Sequence, residues 1–113
     1  MIRGTTPIIQ LFIDGADLTG TRFFVTLVNI NSGIEYTFDS EHDNVELVSA
    51  DENGSQVNLS LTQEMTLKMI VGRIQIQVRW IDDVENAEAT DIATIDLTKV
   101  LLEKKISYTG GIV

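Results

Sequence analysis

Apolar and polar positions alternate along much of this 113-residue chain, and the alternation is broken repeatedly by turn-forming residues. PIIQLFI (7–13) runs into Asp14-Gly15. RFFVTLVNI (22–30) is apolar on both faces, with Phe23, Val25 and Leu27 opposed by Phe24, Val28 and Ile30, so it reads as a central strand. Asn31-Ser32-Gly33 then turns the chain into IEYTFD (34–39), which predicts a hairpin. NVELVSA (44–50) and QVNLSL (56–61) flank DENGS, whose Asn-Gly pair predicts a second one. In GRIQIQVRW (72–80), Ile74, Ile76, Val78 and Trp80 fall on one face and Arg73, Gln75, Gln77 and Arg79 on the other. DIATIDL (91–97) is the last clear run, after an acidic loop, IDDVENAEATD.

One segment changes period. Leu61, Met65 and Met69 recur at four-residue spacing, which suits a short helix. Ser60 with Gln63 resembles a capping box, Thr62 is the alternative cap, and Gly72 is the expected stop. LTKVLLEKK (97–105) predicts a further helical turn, and ISYTGGIV a flexible end. The elements predict an all-β fold: an antiparallel immunoglobulin-like β-sandwich of about seven strands, with one short helix between strands five and six. A small open barrel is the structural alternative. The chain reads as a single domain, 1–113, with flexible termini at 1–6 and 106–113. Trp80 is expected in the core.

Composition narrows the function classes. The chain has no cysteine, which excludes disulfides and thiolate metal sites and fits a reducing compartment. No apolar run reaches the length of a signal peptide or of a membrane span, so the expected location is the cytoplasm where the chain is made. Eight basic against seventeen acidic residues give a net charge of −9. Nucleic acid and anionic membrane surfaces would be repelled.

Catalytic chemistry finds little to build on. The single histidine, His42, lies in the turn-like DSEHDN beside Ser40, without the strand–turn–helix elbow of a serine hydrolase. The acids Asp39, Glu41, Asp43 and Glu46, and again Asp82, Asp83, Glu85, Glu88 and Asp91, lack the spacing of a calcium loop. Gly110-Gly111 precedes no helix that could cradle phosphate. The reading is a non-enzymatic protein: no catalytic, cofactor-binding or metal residues are assigned and no cofactor is expected.

Four stretches occur together and in order: the opening Met1-Ile2-Arg3-Gly4-Thr5-Thr6-Pro7, then LTQEMTLKM, GRIQIQVRW and the closing DIATIDL. In these the chain resembles a family of small proteins encoded in prophages and phage-like elements of Gram-positive bacteria. Asp17-Leu18-Thr19-Gly20 and the Gly-then-alternating sixth strand are also similar to the immunoglobulin-like N-terminal domain of phage baseplate upper proteins. The resemblance implies a β-sandwich and a structural or accessory part in a phage particle, of tail or baseplate type. The acidic insert at 82–91 and the longer 40–44 loop depart from the family pattern.

These readings converge on protein–protein contacts, with the chain itself or phage tail and baseplate proteins as partners, and with the virion as a destination. Arg73, Gln75, Gln77 and Arg79 are the expected interaction surface, since the planar fork of Arg suits carboxylates across an interface. Read without a partner, the same row is a solvated sheet face. The alternative is a ligand-binding module for cell-surface carbohydrate, with calcium at the loop acids or with Trp80 and Tyr36 as stacking surfaces.

Overall fold

In the computed structural model, residues 1–42, 45–81 and 85–98 are described, together with the backbone of 106–107 and 111–112. Two antiparallel sheets pack face to face. The first has the order β1-β5-β4, from β1 (Ile8–Asp14), β4 (Val45–Asp51) and β5 (Gly54–Ser60). The second places β2 (Phe23–Asn29) between β3 (Glu35–Asp39) and β6 (Gly72–Ile81). Along the far side of β6 run β7 (Ala87–Ala89), paired with residues 79–81, and β8 (Ala93–Leu97), paired with 72–76. A hairpin of β9 (Ile106–Ser107) and β10 (Gly111–Ile112) pairs with itself. The expected helical turn at 97–105, and the side chains of the expected flexible end at 106–113, lie outside the described residues.

This is the immunoglobulin-like sandwich that the alternation predicts. The three-stranded sheet follows the B-E-D order, and β3-β2-β6-β8 follows C′-C-F-G. Between the sheets sit Val57 and Leu59 from β5, Val25 and Leu27 from β2, and Ile74, Ile76 and Val78 from β6, all essentially sealed from water. Trp80 closes the same inner row but is only half-buried, packed against the edge of this core.

Local chemistry explains the connections. In Asp17-Leu18-Thr19-Gly20, the Asp17 carboxylate accepts from the N–H and hydroxyl of Thr19, and Thr21 N–H donates to Leu18 C=O. Gly20 takes φ +69°, the left-handed value that a type II turn needs at its third position. The result is that Leu18 is inserted into the core as a plug. Ser55 holds it there: its hydroxyl accepts from Leu18 N–H and donates to Ala16 C=O.

Several expectations are corrected. In the second hairpin Asp51 pairs with Gly54, so the turn centres on Glu52-Asn53 rather than on Asn-Gly. The Asp51 carboxylate stabilises it by accepting from Asn53 N–H. Helix α1 (Gln63–Lys68) is capped by Thr62, whose hydroxyl accepts from Met65 N–H at 3.2 Å, and not by Ser60 with Gln63. It ends where Met69 turns extended, before Gly72 is reached. Part of the acidic loop is strand: β7 pairs with the last three residues of β6, because that ten-residue strand outruns β8 and offers it a free edge.

Residues 1–6, expected as a flexible arm, are tied to the domain. Met1 C=O accepts from Thr98 N–H, Arg3 N–H donates to Thr98 C=O, and Ile2 bridges to Thr98 in parallel. The Arg3 guanidinium donates to the carbonyls of Leu67 and Met69, where the end of α1 leaves orphan acceptors. Buried Thr66 accepts from Gly4 N–H and its hydroxyl reaches Thr5 C=O. Thus the opening MIRGTTP and the LTQEMTLKM segment, distant in sequence, clasp each other.

Candidate interaction surface

Residues paired across antiparallel strands point to the same side of a sheet. The register therefore assembles one outer face from Phe24, Thr26 and Val28 on β2, Glu35, Thr37 and Asp39 on β3, and Arg73, Gln75, Gln77 and Arg79 on β6. The four residues expected as an interaction row do share that face, but in different circumstances. Gln77 is committed internally: its amide donates to Thr90 C=O at 2.9 Å, while the Thr90 hydroxyl accepts from Val78 N–H, stitching the break between β7 and β8 to β6. Gln75 is half-buried between Val28 and Thr94. Arg73 is exposed, cross-strand from Asp96. Arg79 is exposed beside Phe24.

Around Arg79 the face is concave. A cleft of about 640 Å³ is lined by Arg22, Phe24 and Thr26, by Glu35 and Thr37, and by Arg79, Trp80, Ile81 and Ala87. Ile81 is strongly exposed and Phe24 partly so, giving the cleft an apolar floor between charged walls. Arg22 is fixed in place. Its Nε donates to Asp39 Oδ1 at 3.1 Å and its second nitrogen to Oδ2, while its Cζ stands 5.4 Å from the centre of the Phe24 ring. The bond from Arg22, helped by the N–H of Glu41, holds the Asp39 carboxyl down at about 2. Among the described residues Arg79 has no such partner and remains available.

The other sequence candidates are placed as follows. Tyr36 and Trp80 are half-buried on the inner side of their sheet, with Trp80, at the end of its inner row, bordering the cleft. Trp80 also borders a second cleft of about 420 Å³, with Phe12 and Glu88. His42 is exposed and its N–H donates to Asp39 C=O in a turn. Ser40 accepts from Phe23 N–H, clamping the same turn. Among the described residues no three acidic or histidine side chains come together to hold a metal ion; Asp43, Asp82 and Asp83 lie outside them. Nor is any described helix long and apolar enough to cross a membrane.

Sequence reasoning missed Phe24 and Ile81 as surface residues, and Ile8 and Phe12 on β1. For Phe24, Ile8 and Phe12 the available signal was a strand apolar on both faces, which marks either a buried strand or one with an outer patch; β6, with its polar outer row, gave none for Ile81.

Fold and surface together define an immunoglobulin-like β-sandwich whose larger sheet carries an open amphipathic outer face. No family model matches this chain, and no curated protein or solved structure matches it.

Proposed function

We propose that this chain is a non-enzymatic structural or accessory protein of a phage or prophage particle, of tail or baseplate type, that works through protein–protein contacts. The observation that carries this reading is the outer cleft, where Arg79, without an ion-pair partner among the described residues, flanks exposed Phe24 and Ile81. Aromatic residues and Arg are the side chains enriched at protein interfaces. The particle itself is inferred from the resemblance in the opening heptad and the 61–80 region; the clasp between Arg3 and α1 gives the first two of those motifs a folding role.

The test is co-elution with the tail and baseplate proteins encoded beside this chain. A complex that forms with the natural chain and is lost with Arg79→Glu and with Phe24→Ser supports the reading. Failure of every neighbouring protein to co-elute overturns it.

A carbohydrate-binding role is the second reading. The cleft volume falls within the range of small-ligand sites and Phe24 supplies an apolar platform. Titration with cell-wall glycans, followed through the fluorescence of the adjoining Trp80, separates the two readings, with and without added calcium.

A further inference from the structure

We infer that two copies of this chain join edge to edge along β1, antiparallel and centred on Gln10, making one continuous six-stranded sheet; this rests on the protein-contact reading and names one partner. The argument begins with the backbone. Pro7 C=O accepts from Leu61 N–H and Gly15 N–H donates to Asn53 C=O, and the register between them is unbroken. In an antiparallel ladder the residues alternate in which side their N–H and C=O face. Ile9, Leu11 and Ile13 therefore bond to β5, and Ile8, Gln10 and Phe12 direct theirs to the other side, where no described strand lies. In the A-B-E-D order of constant-type immunoglobulin sheets, strand A fills that position. Here the first residues pair instead with Thr98 of the opposite sheet.

The other sheet edges carry protection against pairing and β1 does not. β4 has a bulge at Val48 and charges at Glu46 and Asp51. β3 is short and bears Glu35 and Asp39. The β7–β8 edge is interrupted at 90–92. Such bulges and charges are how proteins blunt edge strands. β1 runs seven residues with an even register, and its one charge, Asp14, is at its end. Its outward side chains include Phe12 and Ile8, which at 67% and 62% exposure are the most exposed large apolar residues among those described.

The strand is complementary to itself. With Gln10 opposite Gln10 of the second copy, each Ile8 faces Phe12, and these three pairs aim their polar backbone groups across the gap. That gives about six new backbone hydrogen bonds. Centring on Leu11 instead would set Phe12 against Gln10 and Asp14 against Ile8. In the Gln10 register the two Asp14 carboxylates stand about 27 Å apart, well beyond the range at which charges repel in physiological salt. For a chain of net charge −9, an uncharged edge is where two copies meet at least cost.

The test uses the absence of cysteine. Facing Cα atoms in a hydrogen-bonded antiparallel pair are about 5.5 Å apart, within disulfide reach. Gln10→Cys is expected to form a disulfide dimer rapidly under mild oxidation, and Glu46→Cys on the β4 edge is not. Sedimentation of the natural chain over roughly 10 µM to 1 mM should show a monomer–dimer equilibrium. Gln10→Pro removes only an outward N–H, which an edge strand tolerates, and should raise the dimer dissociation constant at least about tenfold with an unchanged circular dichroism spectrum. Phe12→Lys should do the same, and stands in if the proline variant fails to fold. A natural chain that stays monomeric throughout, a dimer indifferent to both substitutions, or equal crosslinking at positions 10 and 46 overturns the inference. Co-elution with a tail protein through the outer cleft would survive any of these, so the two readings fail separately.

Discussion

Asn29 is fully buried at the end of β2, and its amide does the work of a strand pair. Nδ2 donates to Ile70 C=O and Oδ1 accepts from Ile70 N–H, each at 2.9 Å. The same oxygen accepts from the N–H and hydroxyl of Ser32 in the β2–β3 turn. One side chain thus joins the exit of α1 to the hairpin. Asn29→Ala removes all four bonds. At about 1 kcal/mol net for each bond to Ile70, and about 1 kcal/mol together for those to Ser32, the expected loss is about 3 kcal/mol. That is a large part of the 5–15 kcal/mol typical of a domain, and corresponds to a melting temperature lower by about 12 °C. Urea unfolding measures it, with an unchanged slope showing that the unfolded state is not what moved. Asn29→Asp refines the test, because it keeps the acceptor and aims a carboxylate oxygen at Ile70 C=O. Burial and that carbonyl raise its folded pKa above the unfolded one, so its stability deficit should shrink as pH falls through the carboxylate range. A loss below about 1 kcal/mol for Asn29→Ala would refute the reasoning, since it would mean that water replaces the amide at no cost.

Three further outcomes are expected. Asp39 should titrate near 2 by carbon NMR and move back toward the ordinary aspartate range in Arg22→Gln, whose lost hydrogen bond is the largest cause of the depression. Because the folded value lies below the unfolded one, the linked stability is present above the ordinary aspartate pKa and disappears as pH falls toward 2; the variant should show a shallower decline over that window. Gly54→Ala should destabilise by about 2 kcal/mol in urea titration, since φ is +154° and a Cβ would stand 2.7 Å from both the Ile13 carbonyl oxygen and the Phe12 ring. Thr66→Val keeps the shape but leaves Gly4 N–H without its acceptor; a loss of about 1–2 kcal/mol is expected, with faster amide exchange at Gly4 and Arg3.

Much of this architecture is local, and so was legible. A strand covered on one side must alternate, and GRIQIQVRW does so because Ile74, Ile76 and Val78 face the core while Arg73 and Arg79 face out. Both hairpins and the helix could be read for the same reason: turn residues and the Leu61-Met65-Met69 spacing act within a few positions. RFFVTLVNI shows where that logic ends. It is central between β3 and β6, as its doubly apolar pattern predicts, yet Phe24 is on the outer face and polar Asn29 is inside. No local rule places an amide in the core; the backbone of Ile70, 41 residues away, is what satisfies it.

By itself, then, the sequence determined β1–β6 and β8, their inward faces and the shared face of the Arg/Gln row, because side-chain alternation and turn chemistry are set by near neighbours. Only the tertiary structure decided that Arg3 closes the end of α1, that Gln77 is spent on Thr90 while Arg79 borders a cleft, and that no described strand lies along the outer side of β1. Each of these depends on which distant backbone arrives to use a donor or cover a side chain, and pairing across a sheet is fixed by the whole set of strands at once.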